Sequence, residues 1–215
     1  MCSSDLIDLE RVLALRPDLV VAWRLEATAR SLDRLKAAGL PVFYSEPHRL
    51  EDIPAAIEAL GVLAGTDAQA GAEASALRQQ LAQVRAMYRD RRTVDVFYQI
   101  AEKPLMTLNR THFVSDALTL CHGRNVFADA PIIAPVISVE SVLAADPEAI
   151  LVSRPSWKEQ WLRFGSLRAV RQGNVLAFGG EDMHRHGPRA IAATARLCAV
   201  LDQARSHTPK AASQR

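Results

Sequence analysis

Short apolar runs alternate with amphipathic segments along the chain. Residues 19–23 and 41–44 are apolar runs typical of buried parallel strands. Residues 27–38 between them have helical spacing and are followed by Gly39, which suits a left-handed helix end. A strand, a helix and a strand in this order form a right-handed βαβ unit. The pattern therefore predicts an α/β fold with parallel strands.

The alternation continues to the end of the chain. Residues 67–90 lack proline and are rich in Ala, Gln and Arg, which predicts one helix about 36 Å long. Further helices are expected over residues 7–15, 50–63, 112–120, 139–145, 157–164 and 189–204, and strands over residues 94–100, 149–153 and 175–178.

An internal repeat organises these elements. Residues 10–23 (ERVLALRPDLVVAW) align without gaps to residues 140–153 (ESVLAADPEAILVS), with five identities in fourteen positions. Each copy is typical of a helix, a proline–acid turn and an apolar strand, and residues 39–44 and 173–178 correspond as the next strands. Although any two βαβ units share part of this pattern, the repeat predicts two Rossmann-like lobes joined by one long backbone helix.

Composition narrows the function classes. The chain has 215 residues, of which 49% are hydrophobic and 23% charged, and its net charge of +2 is too small for an overall nucleic-acid footprint. Its apolar runs fall short of the roughly 18–20 residues that span a bilayer.

The sequence contains no Walker loop, nucleophile elbow or GxGxxG motif. Asp182 and His184 could form an acid–base pair, but an enzyme is disfavoured. His184 and His186 lack a known metal-ligand spacing.

Four segments carry a resemblance to a known family: residues 9–24 (LERVLALRPDLVVAWR), 120–127 (LCHGRNVF), 139–143 (VESVL) and 187–189 (GPR). In this order they resemble the periplasmic substrate-binding proteins of ABC importers for cobalamin and ferric siderophores, the class III type with a helical backbone. The likeness covers residues 7–204 and is strongest to cobalamin binders. It implies a periplasmic monomer without a catalytic cofactor, which binds cobalamin or a related corrinoid between its lobes and delivers it to a permease dimer.

The resemblance implies a docking role for two glutamates. Glu10 and Glu140 occupy equivalent repeat positions, and in such proteins one glutamate per lobe pairs with arginines of the permease. Arginine forks suit carboxylates, and such pairs mainly set orientation and association rate. The alternative is an ordinary solvated glutamate in the first turn of a helix.

The resemblance also implies ligand contacts. Trp23 matches a cobalamin-contacting tryptophan, although a core tryptophan is the alternative. Asp182 and Arg185 match the loop before the closing helix, where they would hydrogen-bond the polar edge of the ligand. Met106 stands where relatives carry phenylalanine, and its polarizable thioether can still pack on a corrin face.

A second departure keeps the ligand open. Residues 134–138 (APVIS) lack the tryptophan that cobalamin binders carry before Pro-x-x-Ser. Tyr98 and His112 lie near residues 105–107 and could compensate. The runner-up ligands are a ferric siderophore or haem, for which the following arginines would face the cleft: Arg24, Arg110, Arg154 and Arg185. A purely structural interaction protein is a further alternative.

The resemblance pairs two of the three cysteines. Cys121 and Cys198 match positions that form a disulfide in cobalamin-binding relatives, and the bridge would contribute about 3–4 kcal/mol in the chain-entropy model. It would form in an oxidising compartment such as the periplasm. Two buried free thiols are the alternative. Cys2 lies in residues 1–6 (MCSSDL), which resemble a translated sequencing adapter and are expected to be an artefact.

The resemblance also gives domain boundaries. We expect residues 7–65 to be the remainder of an incomplete N-terminal lobe, because relatives begin with about 50–60 more residues and a secretion signal. Residues 66–91 are expected to form the backbone helix, residues 92–205 the C-terminal lobe and residues 206–215 a loose tail.

Overall fold

The computed structural model describes residues 8–23, 26–179 and 182–207. These residues form nine α-helices, six strands and two 3-10 helices (Pro155–Lys158 and Asp182–His184). The helices and strands, in chain order, are α1 (Leu9–Ala14), β1 (Val20–Ala22), α2 (Glu26–Ala37), β2 (Val42–Tyr44), α3 (Asp52–Ala64), α4 (Asp67–Tyr88), β3 (Val94–Gln99), α5 (Phe113–Leu120), β4 (Gly123–Asn125), α6 (Val139–Ala145), β5 (Ala149–Val152), α7 (Glu159–Leu162), α8 (Arg168–Arg171), β6 (Val175–Ala177) and α9 (Pro188–His207).

The chain divides into two compact units, Met1–Glu46 and Pro47–Arg215. In the first, β1 and β2 pair in parallel, with Val20 opposite Val42. In the second, four parallel strands follow the order β4-β3-β5-β6. The predicted α/β architecture is therefore present in both units. The predicted domain boundaries at residues 65 and 91 stay a prediction.

The core of the second unit lies on both faces of its sheet. Alternate residues of a strand point to opposite faces, so Val96 and Tyr98 join the cluster that includes residues of α4, α5 and α9. Phe97 joins the opposite cluster, where its ring meets the Trp161 ring edge-on at 5.4 Å. The Trp161 indole N–H donates to the Oε1 atom of buried Gln99 at 2.7 Å, so this large side chain is buried without an unsatisfied donor.

The internal repeat continues into structural details that the alignment did not predict. Asp8 and Ser138, which occupy equivalent positions, each accept an N-capping hydrogen bond through the side chain. The residues before the two prolines of the repeat, Arg16 and Asp146, both have positive φ, at 48° and 37°. β1 and β5 then pair in parallel with β2 and β6 respectively. The two copies therefore share capping, turn and strand pairing.

The structure adds two elements to the predicted set and shifts the ends of others. β4 and α8 were not predicted, because β4 has three residues that begin at Gly123 and include two polar side chains, and α8 spans one helical turn. α9 runs to His207, so the first two residues of the predicted tail are helical. The long helix α4 is confirmed but ends at Tyr88. Within the described ranges, no helix has the length and apolarity needed to cross a membrane.

Candidate ligand-binding site

The loop after β3 places Met106 at the carboxyl edge of the four-stranded sheet, where open α/β sheets bind ligands. The Ile100 amide donates to the Met106 carbonyl at 3.0 Å, and the Met106 amide donates to the Ala101 carbonyl at 3.3 Å. These bonds close a short loop that contains the cis peptide Lys103–Pro104. Met106 is half-buried. The structure thus holds the predicted ligand residue in a defined position at this edge.

The two stretches that depart from cobalamin binders lie side by side. The Thr107 amide donates to the Pro135 carbonyl at 3.2 Å, and the Ile137 amide donates to the Leu105 carbonyl at 3.0 Å. Three aliphatic side chains in or just before the second stretch are solvent-exposed: Ile132 (58%), Ile133 (42%) and Val136 (62%). An exposed aliphatic surface therefore lies beside Met106. Nothing in the sequence indicates that the two departures are in contact.

Asp182 is held by two arginines of α9. Its carboxylate accepts a hydrogen bond from Arg196 at 2.9 Å and lies 3.7 Å from the Arg189 guanidinium. Met183 beside it is fully buried and anchors the loop. Arg185 follows in the same loop and is exposed. The loop therefore presents a fixed carboxylate and an exposed guanidinium, while the roles of both in ligand binding stay predictions.

Aromatic rings join this loop to the loop after β3. His186 meets the Phe113 ring edge-on at 4.5 Å and lies 5.3 Å from the His112 ring. His112 caps α5, because its Nδ1 atom accepts a hydrogen bond from the Val114 amide at 3.1 Å. Partial burial, and secondarily the nearby His48, lower the pKa of His186. The two loops that carry predicted ligand residues are therefore in contact through these rings.

Other candidate residues from the sequence lie in the core, in the first unit or outside the described residues. Tyr98 is fully buried, and burial raises the pKa of its hydroxyl, so this side chain belongs to the core and the expectation that it compensates at the ligand surface is wrong. Trp23 directly follows β1 in the first unit and is half-buried. Arg24 lies outside the described residues, as does the side chain of His184. In the part of the chain that the structure describes, no three His, Cys, Asp or Glu side chains are placed to hold a metal ion.

Glu10 and Glu140 lie at the same place in their helices. Each is exposed and stands two residues after the N-cap residue, Asp8 or Ser138. Hydrogen bonds from the Glu140 amide and from the Ser138 hydroxyl lower the pKa of the Glu140 carboxyl. The equivalent positions fit the predicted docking pair, which stays a prediction.

The predicted disulfide is confirmed. Cys121 at the end of α5 is bonded to Cys198 in α9, with 4.8 Å between the Cα atoms and 77 residues of sequence separation. Both cysteines are fully buried. The bridge ties together two helices that pack on the same face of the sheet.

A separate groove of about 900 Å³ runs along β4 and α5. Two arginines that line it are neutralised by neighbours, because Arg110 pairs with Asp129 and Arg124 forms two hydrogen bonds to Asp95. Thr111, Ser115 and Thr119 add hydroxyl groups to the lining. Apart from Gly123 and Ala128, the residues that line this groove have polar side chains, so it offers no large aliphatic wall to a flat macrocycle. The carboxyl edge is therefore the better candidate for the ligand surface.

Comparisons with known proteins identify the family of this chain. Residues 3–177 match the family model described as periplasmic binding protein, so the chain belongs to the periplasmic binding protein family. A vitamin B12-binding protein of Vibrio parahaemolyticus is 33% identical over 195 residues, which cover 89% of this chain and 71% of that protein. A vitamin B12-binding protein of Photorhabdus laumondii is 34% identical over 199 residues, which cover 91% and 71%.

Solved structures confirm the predicted fold. The crystal structure of the periplasmic vitamin B12 binding protein BtuF of Vibrio cholerae has a TM-score of 0.84 and 32% identity, covering 93% of this chain and 79% of that chain. The periplasmic heme-binding protein BhuT has a TM-score of 0.81 at 20% identity, covering 92% of this chain and 80% of that chain. At that identity the likeness to BhuT establishes the shared fold alone.

Proposed function

We propose that this chain is the substrate-binding component of an ABC importer, and that it captures cobalamin or a related corrinoid in the periplasm. The main support is the similarity to vitamin B12-binding proteins, which extends over about nine-tenths of the chain. The buried disulfide also fits an oxidising compartment. The chain would bind its ligand without transforming it.

The surface beside Met106 suits a corrinoid. A large flat macrocycle needs apolar wall, with a few polar groups for the amides at its rim. The exposed aliphatic side chains Ile133 and Val136 supply such a wall beside the thioether of Met106. Asp182 and Arg185 supply polar groups from the loop before α9. Haem is the second candidate, because its flat ring needs the same wall and its propionates suit Arg185.

Titration calorimetry with cyanocobalamin, haem and a ferric hydroxamate siderophore tests the ligand assignment. We expect saturable binding of cyanocobalamin and at least tenfold weaker binding of the other two. Met106→Ala should weaken cyanocobalamin binding about tenfold, since truncating a well-packed contact costs more than 1 kcal/mol. Met87→Ala is the matched control, because Met87 is an exposed methionine of α4. No binding of cyanocobalamin by the folded protein would overturn the assignment.

We further propose that Glu10 and Glu140 dock onto a dimeric permease of the importer. Carboxylates at equivalent positions of two α/β units can pair with a symmetric set of arginines. Because Glu140 remains ionised to lower pH than an ordinary glutamate, it would keep its charge under mildly acidic conditions.

Reversing both charges, Glu10→Lys with Glu140→Lys, should weaken binding to the solubilised permease at least tenfold and leave cobalamin affinity unchanged. The matched control is Glu73→Lys with Glu159→Lys, which changes the net charge equally at two other exposed glutamates. Surface plasmon resonance measures the docking and calorimetry the ligand affinity. Equal weakening by both double variants would contradict specific docking.

A further inference from the structure

Arg154 stands in the middle of the carboxyl edge. In the order β4-β3-β5-β6, Met106 follows β3, Arg154 follows β5, and the loop of Asp182 and Arg185 follows β6. Backbone hydrogen bonds continue past the strand ends on both sides of Arg154. The Ser153 amide donates to the Gln99 carbonyl at 3.3 Å, and the Phe178 amide donates to the Val152 carbonyl at 2.9 Å. Arg154 is therefore placed between the two loops that carry the predicted ligand residues.

The local fold orients the Arg154 side chain. Arg154 precedes Pro155, which favours the extended backbone observed at φ −124° and ψ 133°. The following 3-10 turn is closed by a 3.0 Å hydrogen bond from the Trp157 amide to the Arg154 carbonyl. This turn brings the Trp157 ring to 5.6 Å from the guanidinium carbon, within cation–π range. Trp157 itself packs against the core cluster of Phe97 and Trp161, so the arginine rests on an anchored ring.

The charge of Arg154 has no counter-ion among the described residues, where no carboxylate lies within 4.0 Å of its guanidinium. Three other arginines near the carboxyl edge differ in this respect, because Arg189 and Arg196 both bind Asp182 and Arg110 pairs with Asp129. Arg154 is also solvent-exposed. An oriented guanidinium without a nearby carboxylate is suited to an anion supplied by a ligand.

We propose that Arg154 recognises an anionic substituent of the transported ligand. This inference rests on the proposed function, under which the anion is the phosphodiester of the nucleotide arm of cobalamin. A guanidinium presents paired N–H donors that match phosphate oxygens. A haem propionate would present the same chemistry to this residue, and the ligands in the test distinguish the two sources.

The test compares cyanocobalamin with cobinamide, a corrinoid that lacks the nucleotide arm and its phosphodiester. By calorimetry, we expect Arg154→Gln to weaken cyanocobalamin binding about tenfold and to leave cobinamide binding unchanged. Arg154→Lys should retain part of the affinity, since it keeps the charge without the fork. Arg163→Gln is the matched control, because Arg163 is also exposed and its guanidinium carbon lies 4.9 Å from the Phe164 ring, at the end of α7.

The outcomes separate this inference from the proposed function. If the wild-type protein binds neither corrinoid, the proposed function fails. If it binds both, and Arg154→Gln weakens both equally or leaves the affinities for both corrinoids and for haem unchanged, the proposed function stands and anion recognition by Arg154 is wrong. Loss of haem binding in Arg154→Gln with unchanged corrinoid binding would support anion recognition and identify the anion as a propionate. Circular dichroism of each variant confirms that it is folded.

Discussion

At the scale of single residues, His186 makes the stability of the folded protein depend on pH. Its imidazole packs against Phe113 and His112, and burial together with His48 lowers its pKa. The folded protein therefore binds a proton at His186 less readily than the unfolded chain, whose histidines titrate near pH 6.5. Stability contributed by this residue is present above about pH 6.5 and is lost as the pH falls towards the folded-state pKa.

We therefore expect His186→Phe to reduce the difference in unfolding free energy between pH 7.5 and pH 5.5, as measured by urea denaturation. Phenylalanine keeps a ring against Phe113 and removes the titrating group. The His186 ring-proton signals in an NMR titration should show a midpoint below 6.5, and His48→Gln should raise that midpoint. A wild-type midpoint at or above 6.5 would contradict the assignment.

At this scale, some residue contacts could be predicted from the sequence and others could not. The cysteine pair could be predicted because the family resemblance supplied both positions. The Arg196–Asp182 pair and the contact between residues 105–109 and 133–137 could not be predicted, because they depend on how loops fold onto neighbouring segments of the chain. The capping by Asp8 and Ser138 was within reach, since extending the repeat alignment by two residues pairs these two helix-capping residue types.

At the scale of elements, two helical glycines differ in the space around them: one is closely packed and the other is open. Gly61 in α3 faces α4 so closely that an added Cβ would collide with the Cβ of Ala70. Gly71 in α4 has no atom within 4 Å of the position that a Cβ would occupy. Both are helical, so the helix propensity gained by alanine is similar at the two sites.

Gly61→Ala should destabilise the protein by about 1–3 kcal/mol, because the collision involves a Cβ atom that has no rotamer in which to move away. Gly71→Ala should stabilise it by about 0.5–1 kcal/mol through helix propensity alone. Urea denaturation followed by circular dichroism measures both changes. Stabilisation of similar size in both variants would show that α3 and α4 are not packed as the structure has them.

The elements that could be predicted are those with a strong period or a clear boundary. α4 has 22 residues, and β5 is an unbroken apolar run. β4 could not be predicted, since its three residues have neither apolar alternation nor high strand propensity. It owes its conformation to pairing with β3, where Val94 lies opposite Gly123. Short elements of this kind are fixed by tertiary contacts that the local sequence does not express.

At the scale of the whole molecule, the disulfide closes a 77-residue segment of the second unit. That segment includes β4, β5 and β6, and α9 returns to pack on the same core cluster as α5. A covalent link across such a long segment stabilises the folded protein mainly by restricting the unfolded chain. The disulfide should therefore contribute to stability without contributing to ligand recognition.

Replacing both cysteines, Cys121→Ala with Cys198→Ala, should lower the free energy of unfolding by about 2–4 kcal/mol and leave cobalamin affinity unchanged. Urea denaturation and calorimetry measure the two quantities, and Cys2→Ser is the control that leaves the pair intact. Denatured, unreduced wild-type protein should show one free thiol out of its three cysteines. Three free thiols would exclude the bridge. Reduced cobalamin affinity in a folded double variant would mean that the link between α5 and α9 also positions the loops that carry His112 and Arg185.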